Sequence, residues 1–330
     1  MPSKLNRRLW NPLPPSASLS EALVSETQEV AMSSATKSFE RLVSRIEQAK
    51  GLDAPSVAVA GVLSRLLGGP RTRTLLSGTP LGHPLHPVLV SIPIGAWTGA
   101  SLLDLAGGRS SRRSAEALLL TGCVAAAPTA LAGWSDWLST ADAERRVGSV
   151  HASLNILALS LYTGSLVARR RGNHRRGVAL ALVGGGLISA AGWLGGHLTY
   201  ARGVGVDTTA FQVVPSDWVD LIPEAELSAD RPTPASIAGV AVLVVALSGG
   251  LSVIEARCTH RGGPLHEGKV RDGHVVCPWH ASIFDLRDGS VVCGPAVRPQ
   301  RRLDVRTVDG MVQVRRGDDP GSLRANPVGG

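Results

Sequence analysis

Four long apolar segments follow one another in the first two thirds of the chain, at about residues 87–106, 115–138, 149–168 and 177–199. Each approaches the ~20 residues that a helix needs to cross a hydrocarbon core of about 30 Å. Short loops rich in arginine, such as GGRSSRRS and RRRGNHRR, separate them. A helical bundle inside a soluble protein would rarely need four such segments in a row. The pattern therefore predicts a four-helix transmembrane bundle over residues 81–203.

The segments before the bundle differ in pattern. Residues 1–33 are rich in Pro and Ser and lack periodicity, so we expect them to be disordered, without a cleavable secretory signal. Residues 34–80 contain an amphipathic stripe and a second apolar run that ends at a Gly-Gly-Pro. They predict two helices. These helices would either lie on a membrane surface or pack against the next domain.

A fifth apolar run, from 237 to 254, is predicted to be a β-hairpin rather than a fifth span. It is rich in Val and is interrupted by Ser-Gly-Gly at 248–250, which is a turn signal. We expect a small antiparallel β domain over residues 208–316 and a disordered tail at 317–330. The predicted fold class is thus a multidomain α plus all-β chain, with the transmembrane bundle first.

Charge and composition agree with a chain that is part membrane and part globular. Of its 330 residues, 18% are charged and 4% are aromatic, and the formal net charge is +8. The arginines cluster between the apolar segments, where they act as topology signals rather than as a phosphate-binding face. We therefore expect a lipid bilayer as a partner and no nucleic acid.

Two short motifs carry candidate metal-binding chemistry. The first is Cys258-x-His260 and the second, after a gap of sixteen residues, is Cys277-x-x-His280. Two thiolates and two neutral imidazoles can hold the two irons of a [2Fe-2S] cluster. The same residue types also form tetrahedral zinc sites, but zinc fingers usually group the cysteines in one knuckle and the histidines on a helix. Here each motif mixes one Cys with one His.

The segments CTHRGGPLH, CPWHASIFD and DGSVVCGPA resemble the Rieske family. The resemblance implies that Cys258, His260, Cys277 and His280 ligate a [2Fe-2S] cluster. Respiratory Rieske proteins have an extra Cys in each loop, where this sequence has Gly263 and Trp279. It therefore looks more like the ferredoxins and oxygenase domains of the family. No catalytic domain with a 2-His-1-carboxylate iron site follows, so we expect an electron-transfer component rather than a complete oxygenase.

The bundle region resembles an uncharacterised bacterial family of predicted four-helix membrane proteins. The resemblance rests on LSGTPLGHPLHPVLVSIPIGAW from Leu76 to Trp97, on WSDW after the second span, and on GGHL at the end of the fourth. It implies a multi-pass location in the bacterial cell membrane and no particular activity.

Several polar residues should gather at one membrane face. We call face A the side on which the first span begins, and face B the opposite side. The candidates at face A are His83, His86, Asp136, His151 and His197. Polar groups near the membrane interior are often functional, so they could form a quinone site or bind haem b through two of His86, His151 and His197. Alternatively, they are interfacial residues satisfied by headgroups, loop carbonyls and Asp136.

Arginine counts slightly favour face B as the cytoplasmic side, which would make the cluster extracytoplasmic. The missing disulfide also suits a reducing compartment, so a cluster on the cytoplasmic side is the alternative. The face-B arginines are Arg109, Arg112, Arg113, Arg169, Arg170, Arg171, Arg175 and Arg176, against Arg71, Arg73, Arg145, Arg146 and Arg202 at face A. The main interpretation is a membrane-anchored one-electron carrier that serves a partner protein or a membrane redox carrier. The alternatives are a quinol- or haem-linked oxidoreductase using the face-A histidines, and an iron–sulfur redox sensor with a passive anchor.

Overall fold

The computed structural model describes residues 34–228 and 232–317. The disorder predicted for residues 1–33 and for the tail after residue 317 lies outside the described residues. Within them the chain forms helices first and antiparallel strands afterwards, in agreement with the predicted fold class.

From residue 34 onward, three α-helices precede the membrane segments: α1 (Ser34–Gln48), α2 (Asp53–Leu67) and α3 (Pro70–Ser77). The first two agree with the predicted pair, whereas α3 was not predicted. It begins with a proline at its first position, after an extended Gly69, and it ends at Gly78 in the left-handed conformation with φ 86°. Proline suits a first helical position and glycine a left-handed cap, so local signals for this short helix are present in the sequence.

The four apolar segments form α4 (Leu85–Ala106), α5 (Arg112–Trp137), α6 (Asp142–Arg170) and α7 (His174–Gly196). All four are long and apolar enough to cross a membrane. The third begins seven residues before its predicted start, because Asp142 and Glu144 form a polar first turn. Acidic residues favour a helix N-terminus, but a search for apolar segments does not include them.

Alanines, leucines and a stacked aromatic pair form the buried core of the bundle. Trp97 of α4 stacks on Tyr162 of α6 with ring centroids 4.2 Å apart and planes inclined by 13°. Gly122 of α5 lies directly against this tryptophan, since a Cβ there would be 2.3 Å from the indole Nε1. Without a hydrophobic driving force between helices in lipid, such close packing is what holds them together.

A buried ion pair joins α4 and α6 near face B. The guanidinium of Arg169 donates to both carboxylate oxygens of Asp104, at 2.7 and 2.5 Å, and the two side chains are 0% and 1% exposed. The Nε of Arg169 also donates to Ser165 Oγ at 3.1 Å. Arg169 was included among the loop arginines that signal topology, and this was wrong, because its charge is paired inside the bundle.

The C-terminal domain, called the head below, forms two antiparallel sheets in the part that the structure describes. The larger has the order β1-β10-β9-β4-β3-β2 and the smaller the order β5-β6-β7-β8. The strands are β1 (Val219–Pro223), β2 (Thr233–Ile237), β3 (Val240–Leu247), β4 (Gly250–Glu255), β5 (Lys269–Arg271), β6 (His274–Val276), β7 (Ile283–Asp285), β8 (Val291–Cys293), β9 (Arg302–Val308) and β10 (Met311–Arg316). The β3–β4 hairpin, with Leu247 opposite Gly250, confirms that the fifth apolar run is not a membrane span.

One apolar cluster of the head extends up to the predicted cluster ligands. Leu243, Ile254 and Phe284 are completely buried in it, and Cys258 and Cys277 are members of the same cluster. Both thiols therefore sit on rigid, packed structure rather than on free loops.

Candidate iron–sulfur site

The first motif forms a tight loop after β4. The N–H of Cys258 donates to Gly263 O at 2.9 Å, and the N–H of Gly262 donates back to Cys258 O at 2.7 Å. Gly262 has φ 72°, a left-handed conformation in which glycine carries no steric penalty. A Cβ on Gly263 would be 2.9 Å from Cys277 Sγ, so the two motifs approach each other closely here.

The second motif repeats this geometry after β6. The N–H of Cys277 donates to Ser282 O at 2.8 Å, and the N–H of Ala281 donates to Cys277 O at 3.0 Å. Ala281 takes the left-handed conformation with φ 55°, although it is not glycine. Strained backbone of this kind persists where the surrounding structure demands it, and it concentrates at functional sites. The two loops thus present their thiols in matching ways.

The two histidines of the motifs meet edge to face. The ring centroids of His260 and His280 are 5.1 Å apart and the planes are inclined by 88°. The Nδ1 atom of His260 is buried without a hydrogen-bond partner. A buried ring nitrogen beside two thiols, with no donor or acceptor to satisfy it, fits an iron ligand. The chemistry of the donor set, two sulfurs and two imidazoles, fits a [2Fe-2S] cluster.

The surroundings keep both imidazoles neutral, as metal ligation requires. Burial lowers the pKa of His260 to about 3 and that of His280 to about 4, and the nearby charges of Arg261 and Arg73 act in the same direction. The hydrogen bond between the two sulfurs lowers the pKa of the Cys277 thiol and raises that of Cys258.

Backbone N–H groups are directed at both sulfurs. Those of His260 and Arg261 bond to Cys258, and those of Trp279 and His280 bond to Cys277. Within the described residues, no group of three or more His, Cys, Asp or Glu side chains is arranged to hold a single metal ion.

A third loop packs against the motifs. The N–H of Ala296 donates to Ser282 Oγ at 3.0 Å, and the Thr259 hydroxyl donates to Arg298 O at 2.8 Å. Gln300 is completely buried and donates its amide to Glu255 O and Arg257 O, at 2.7 and 2.6 Å. These bonds hold the segment 294–300 against both motif loops.

The head rests on face A of the bundle through the same loops. The Arg261 guanidinium pairs with the Glu144 carboxylate in the first turn of α6. Arg73 of α3 donates to the backbone carbonyl of His280, and the Thr79 hydroxyl donates to Ala296 O at 2.8 Å. The unpredicted helix α3 and the Thr79 turn that follows it therefore form part of the surface on which the head docks, called the platform below.

An open cleft of about 600 Å³ lies between the second motif and the start of α6. The imidazole of His280 is hydrogen-bonded to the Ser139 carbonyl in its wall, a contact that opposes the lowering of the pKa of His280. Trp279 is 57% exposed beside it. The lining residues are Ser139, Ala141, Asp142, Ala143, Glu144, Arg202, Arg261, Pro278, Trp279 and His280.

The face-A residues of the bundle do not form one common site. His83 is exposed at the surface, and His197 Nε2 is bonded to Glu47 Oε1 at 3.0 Å. His86 and His151 each bond through Nδ1 to a backbone carbonyl of a neighbouring helix. In the described part of the chain, no hydrogen bond joins the Asp136 carboxyl to any of these histidines.

Gly294 offers a test of the docking of the head. A Cβ at this position would be 2.5 Å from Thr79 Oγ1 and 2.8 Å from Ser77 Oγ. Gly294→Ala should therefore separate the third loop from the platform and speed amide hydrogen exchange in α3. The control is Gly249→Ala, where an added Cβ meets nothing within 4 Å. Equal exchange in both variants would contradict the docking.

Comparison with known proteins gives two family matches. Residues 82–208 match the family described as "Predicted membrane protein (DUF2231)", and residues 217–309 match the Rieske [2Fe-2S] domain. The two matches follow each other along the chain in the same order as the bundle and the head.

Individual relatives resemble the head. The anthranilate 1,2-dioxygenase ferredoxin subunit of Burkholderia cepacia is 32% identical over 102 residues, which is 31% of this chain and 94% of that protein. The cytochrome b6-f complex iron-sulfur subunit of Chlorobaculum tepidum is 33% identical over 73 residues, or 22% of this chain and 39% of that subunit. The solved ferredoxin of carbazole 1,9a-dioxygenase from Nocardioides aromaticivorans is 28% identical, covers 30% of this chain and 97% of that one, and has a TM-score of 0.29.

The head is thus similar to nearly the whole of a ferredoxin subunit, whereas it spans less than half of the cytochrome complex subunit. A Rieske domain implies a [2Fe-2S] cluster, and the four apolar helices imply a membrane location. The chain therefore belongs to the Rieske [2Fe-2S] family, with a predicted membrane protein domain before the Rieske domain, and is a membrane-bound Rieske electron carrier.

Proposed function

We propose that Cys258, His260, Cys277 and His280 hold the cluster, and that the chain exchanges single electrons with a small membrane-soluble carrier of the quinone class in the cleft at face A. The cluster, when bound, supplies one-electron redox chemistry. The observation that carries the proposal is the position of His280, a predicted ligand, in the wall of a cleft at the start of α6.

The docked head favours a small carrier over a protein partner at this edge. Arg261 and Arg73 attach the motif loops to the bundle on either side of His280. A protein partner would have to displace these contacts before it could approach the imidazole. A flat ring needs only the open cleft, whose volume of about 600 Å³ is within the usual range for small-molecule sites.

The cleft residues suit a flat ring with oxygen atoms. Trp279 presents an exposed aromatic face for stacking. The neutral imidazole of His280 reaches the cleft, where it can exchange its bond with the Ser139 carbonyl for one with a ring hydroxyl or carbonyl. The Asp142 carboxylate at the rim can accept a proton. The excess of arginines at face B supports a head outside the cytoplasm.

Ala141→Trp tests the proposal. Ala141 lines the cleft and is exposed, so a bulky ring there would occupy the space without disturbing the core. Oxidised protein in lipid nanodiscs is mixed with a short-chain ubiquinol or menaquinol, at two protein molecules per hydroquinone. We expect the variant to be reduced about tenfold more slowly or worse, because a displaced reactant loses its productive geometry.

Two comparisons make the result specific. Dithionite should reduce the variant as fast as the unmodified protein. Ala225→Trp, a matched change on an exposed turn outside the cleft lining, should leave the hydroquinone reaction unchanged. If neither hydroquinone reduces the unmodified protein, or if Ala141→Trp reacts at the normal rate, the cleft is not the exchange site.

A further inference from the structure

The two helical hairpins of the bundle, α4–α5 and α6–α7, carry the same side-chain pattern. Along α4 the inward positions include His86, Trp97 and Asp104, and along α6 they include His151, Tyr162 and Arg169. Taken in order, the three residues of α4 and the three of α6 form three pairs, and the two members of each pair are separated by the same number of residues in the sequence. The second and third pairs are in contact across the core, as the aromatic stack and the buried ion pair.

The partner helices repeat as well. Gly122 of α5 packs against Trp97, and Gly184 of α7 packs against Tyr162. Three turns further on, Gly133 packs against the His86 ring, and Gly195 packs against the His151 ring. Short stretches of sequence are also identical between the two hairpins at these equivalent positions. They are Thr-Gly after each core aromatic, at 98–99 and 163–164, and A-L-x-L-x-G at 117–122 and 179–184.

The repeated pattern relates the α4–α5 hairpin to the α6–α7 hairpin by an approximate two-fold rotation about the long axis of the bundle. Both hairpins begin at face A and return to it, so equivalent residues lie at the same depth in the membrane, as in parallel repeats. The stack of Trp97 on Tyr162 marks the axis. His86 and His151 lie eleven positions earlier on their helices, about 16 Å nearer face A.

Each of these histidines has its tautomer set by its neighbours. A carbonyl oxygen only accepts, so His86 Nδ1 donates to Thr129 O at 3.0 Å and His151 Nδ1 donates to Ala191 O at 2.7 Å. The free lone pair is therefore on Nε2 in both rings. The Asn155 amide donates to Nε2 of His151 at 3.1 Å, which agrees with this tautomer.

Metal-binding histidines share this hydrogen-bonding arrangement, in which one ring nitrogen donates to a fixed acceptor and the other keeps its lone pair. A ligating imidazole usually donates its other N–H to a carbonyl or carboxylate, which fixes the ring and raises its basicity. The two rings occupy equivalent positions on the helix stripes that carry the aromatic stack and the buried ion pair, both of which meet across the axis. His83 and His197 lack this arrangement, since one is exposed and the other is bonded to Glu47.

We infer that His86 and His151 form a single two-fold site on the bundle axis, which binds a transition-metal centre through Nε2 of both rings. The centre is either a bare ion such as Cu⁺ or Zn²⁺, or the iron of a haem. The Asn155 side chain, which belongs to the same helix as His151, rotates away when the metal binds. This inference does not depend on how the head functions.

The test measures metal and haem in the full chain. Protein is produced with added iron and 5-aminolevulinate, purified in detergent, and then titrated separately with hemin, Cu⁺ and Zn²⁺. We expect one equivalent of metal beyond the cluster irons, lost in His86→Gln and in His151→Gln. A Soret band identifies haem as the source, and bound metal without a Soret band identifies the bare ion.

His83→Gln and His197→Gln are the matched controls and should retain the extra metal. Helicity and the EPR signal of the cluster report whether each variant is folded. Asn155→Leu should bind the same probe more tightly, because the competing amide is gone, an effect that a purely structural role for His151 would not produce. The inference is overturned if no probe binds, or if binding survives when both His86 and His151 are replaced.

Discussion

Cys277→Ser is expected to abolish the [2Fe-2S] EPR signal of the reduced protein and to reduce its bound cluster iron to near zero. The hydroxyl of serine is a poor iron ligand at neutral pH, whereas the Cys277 thiol has a lowered pKa because the Cys258 sulfur and the N–H groups of Trp279 and His280 bond to it. Serine is close in size to cysteine, so the packed core around the loop is kept. The measurement is EPR after dithionite together with iron and zinc analysis.

The matched control is Cys293→Ser. Cys293 is half-buried in β8, where its thiol is near Thr74 Oγ1 of α3, at 3.4 Å, and it belongs to neither motif. This variant should keep the signal and the iron content of the unmodified protein. Stoichiometric zinc and no iron in the unmodified protein would show that the four residues form a zinc site instead.

Arg169→Leu should destabilise the bundle by about 3–5 kcal/mol, because it leaves the Asp104 carboxylate buried without a partner. Both side chains are almost completely inaccessible, so water cannot replace the lost guanidinium. Asp104→Leu should have a similar effect. The double variant should regain much of the loss, since it removes both charges together. Unfolding in mixed detergent, followed by circular dichroism, measures the differences.

Asp53→Leu provides the comparison. Asp53 pairs with Arg146 at 2.6 Å, but its side chain is 46% exposed. Solvent screens such a pair and hydrates whichever charge remains, so we expect a much smaller loss of stability. If the two single variants of the buried pair behaved like Asp53→Leu, the core of the bundle would have to be hydrated.

The sequence predicted the elements whose signals are local. Four apolar segments of sufficient length became α4 to α7, and the Val-rich run broken at Ser248-Gly249-Gly250 became the β3–β4 hairpin. The predicted ligands are brought together in the structure, and their role as ligands stays a prediction. The two motifs could be recognised because each places Cys and His within one short loop.

Features that depend on contacts between distant residues were missed. The docking of the head relies on Arg73, Thr79 and Arg261, which meet partners far away in the sequence. The cleft forms only because the head docks on the bundle, so the sequence pattern of the motif loops could not predict it. The hairpin repeat is visible in the sequence as the Thr-Gly that follows Trp97 and Tyr162. So short a match does not indicate a repeat until the structure shows that the two aromatic residues stack on each other.

The buried ion pair also has a consequence for assembly. Asp104 and Arg169 occupy equivalent positions in the two hairpins, yet they carry opposite charges. Two copies of the first hairpin would bring aspartate against aspartate in the interior, and two copies of the second would bring arginine against arginine. The buried charges therefore favour packing of a first hairpin against a second hairpin and disfavour packing of two identical hairpins. We therefore expect any exchange of hairpins between neighbouring chains in the membrane to join a first half to a second half.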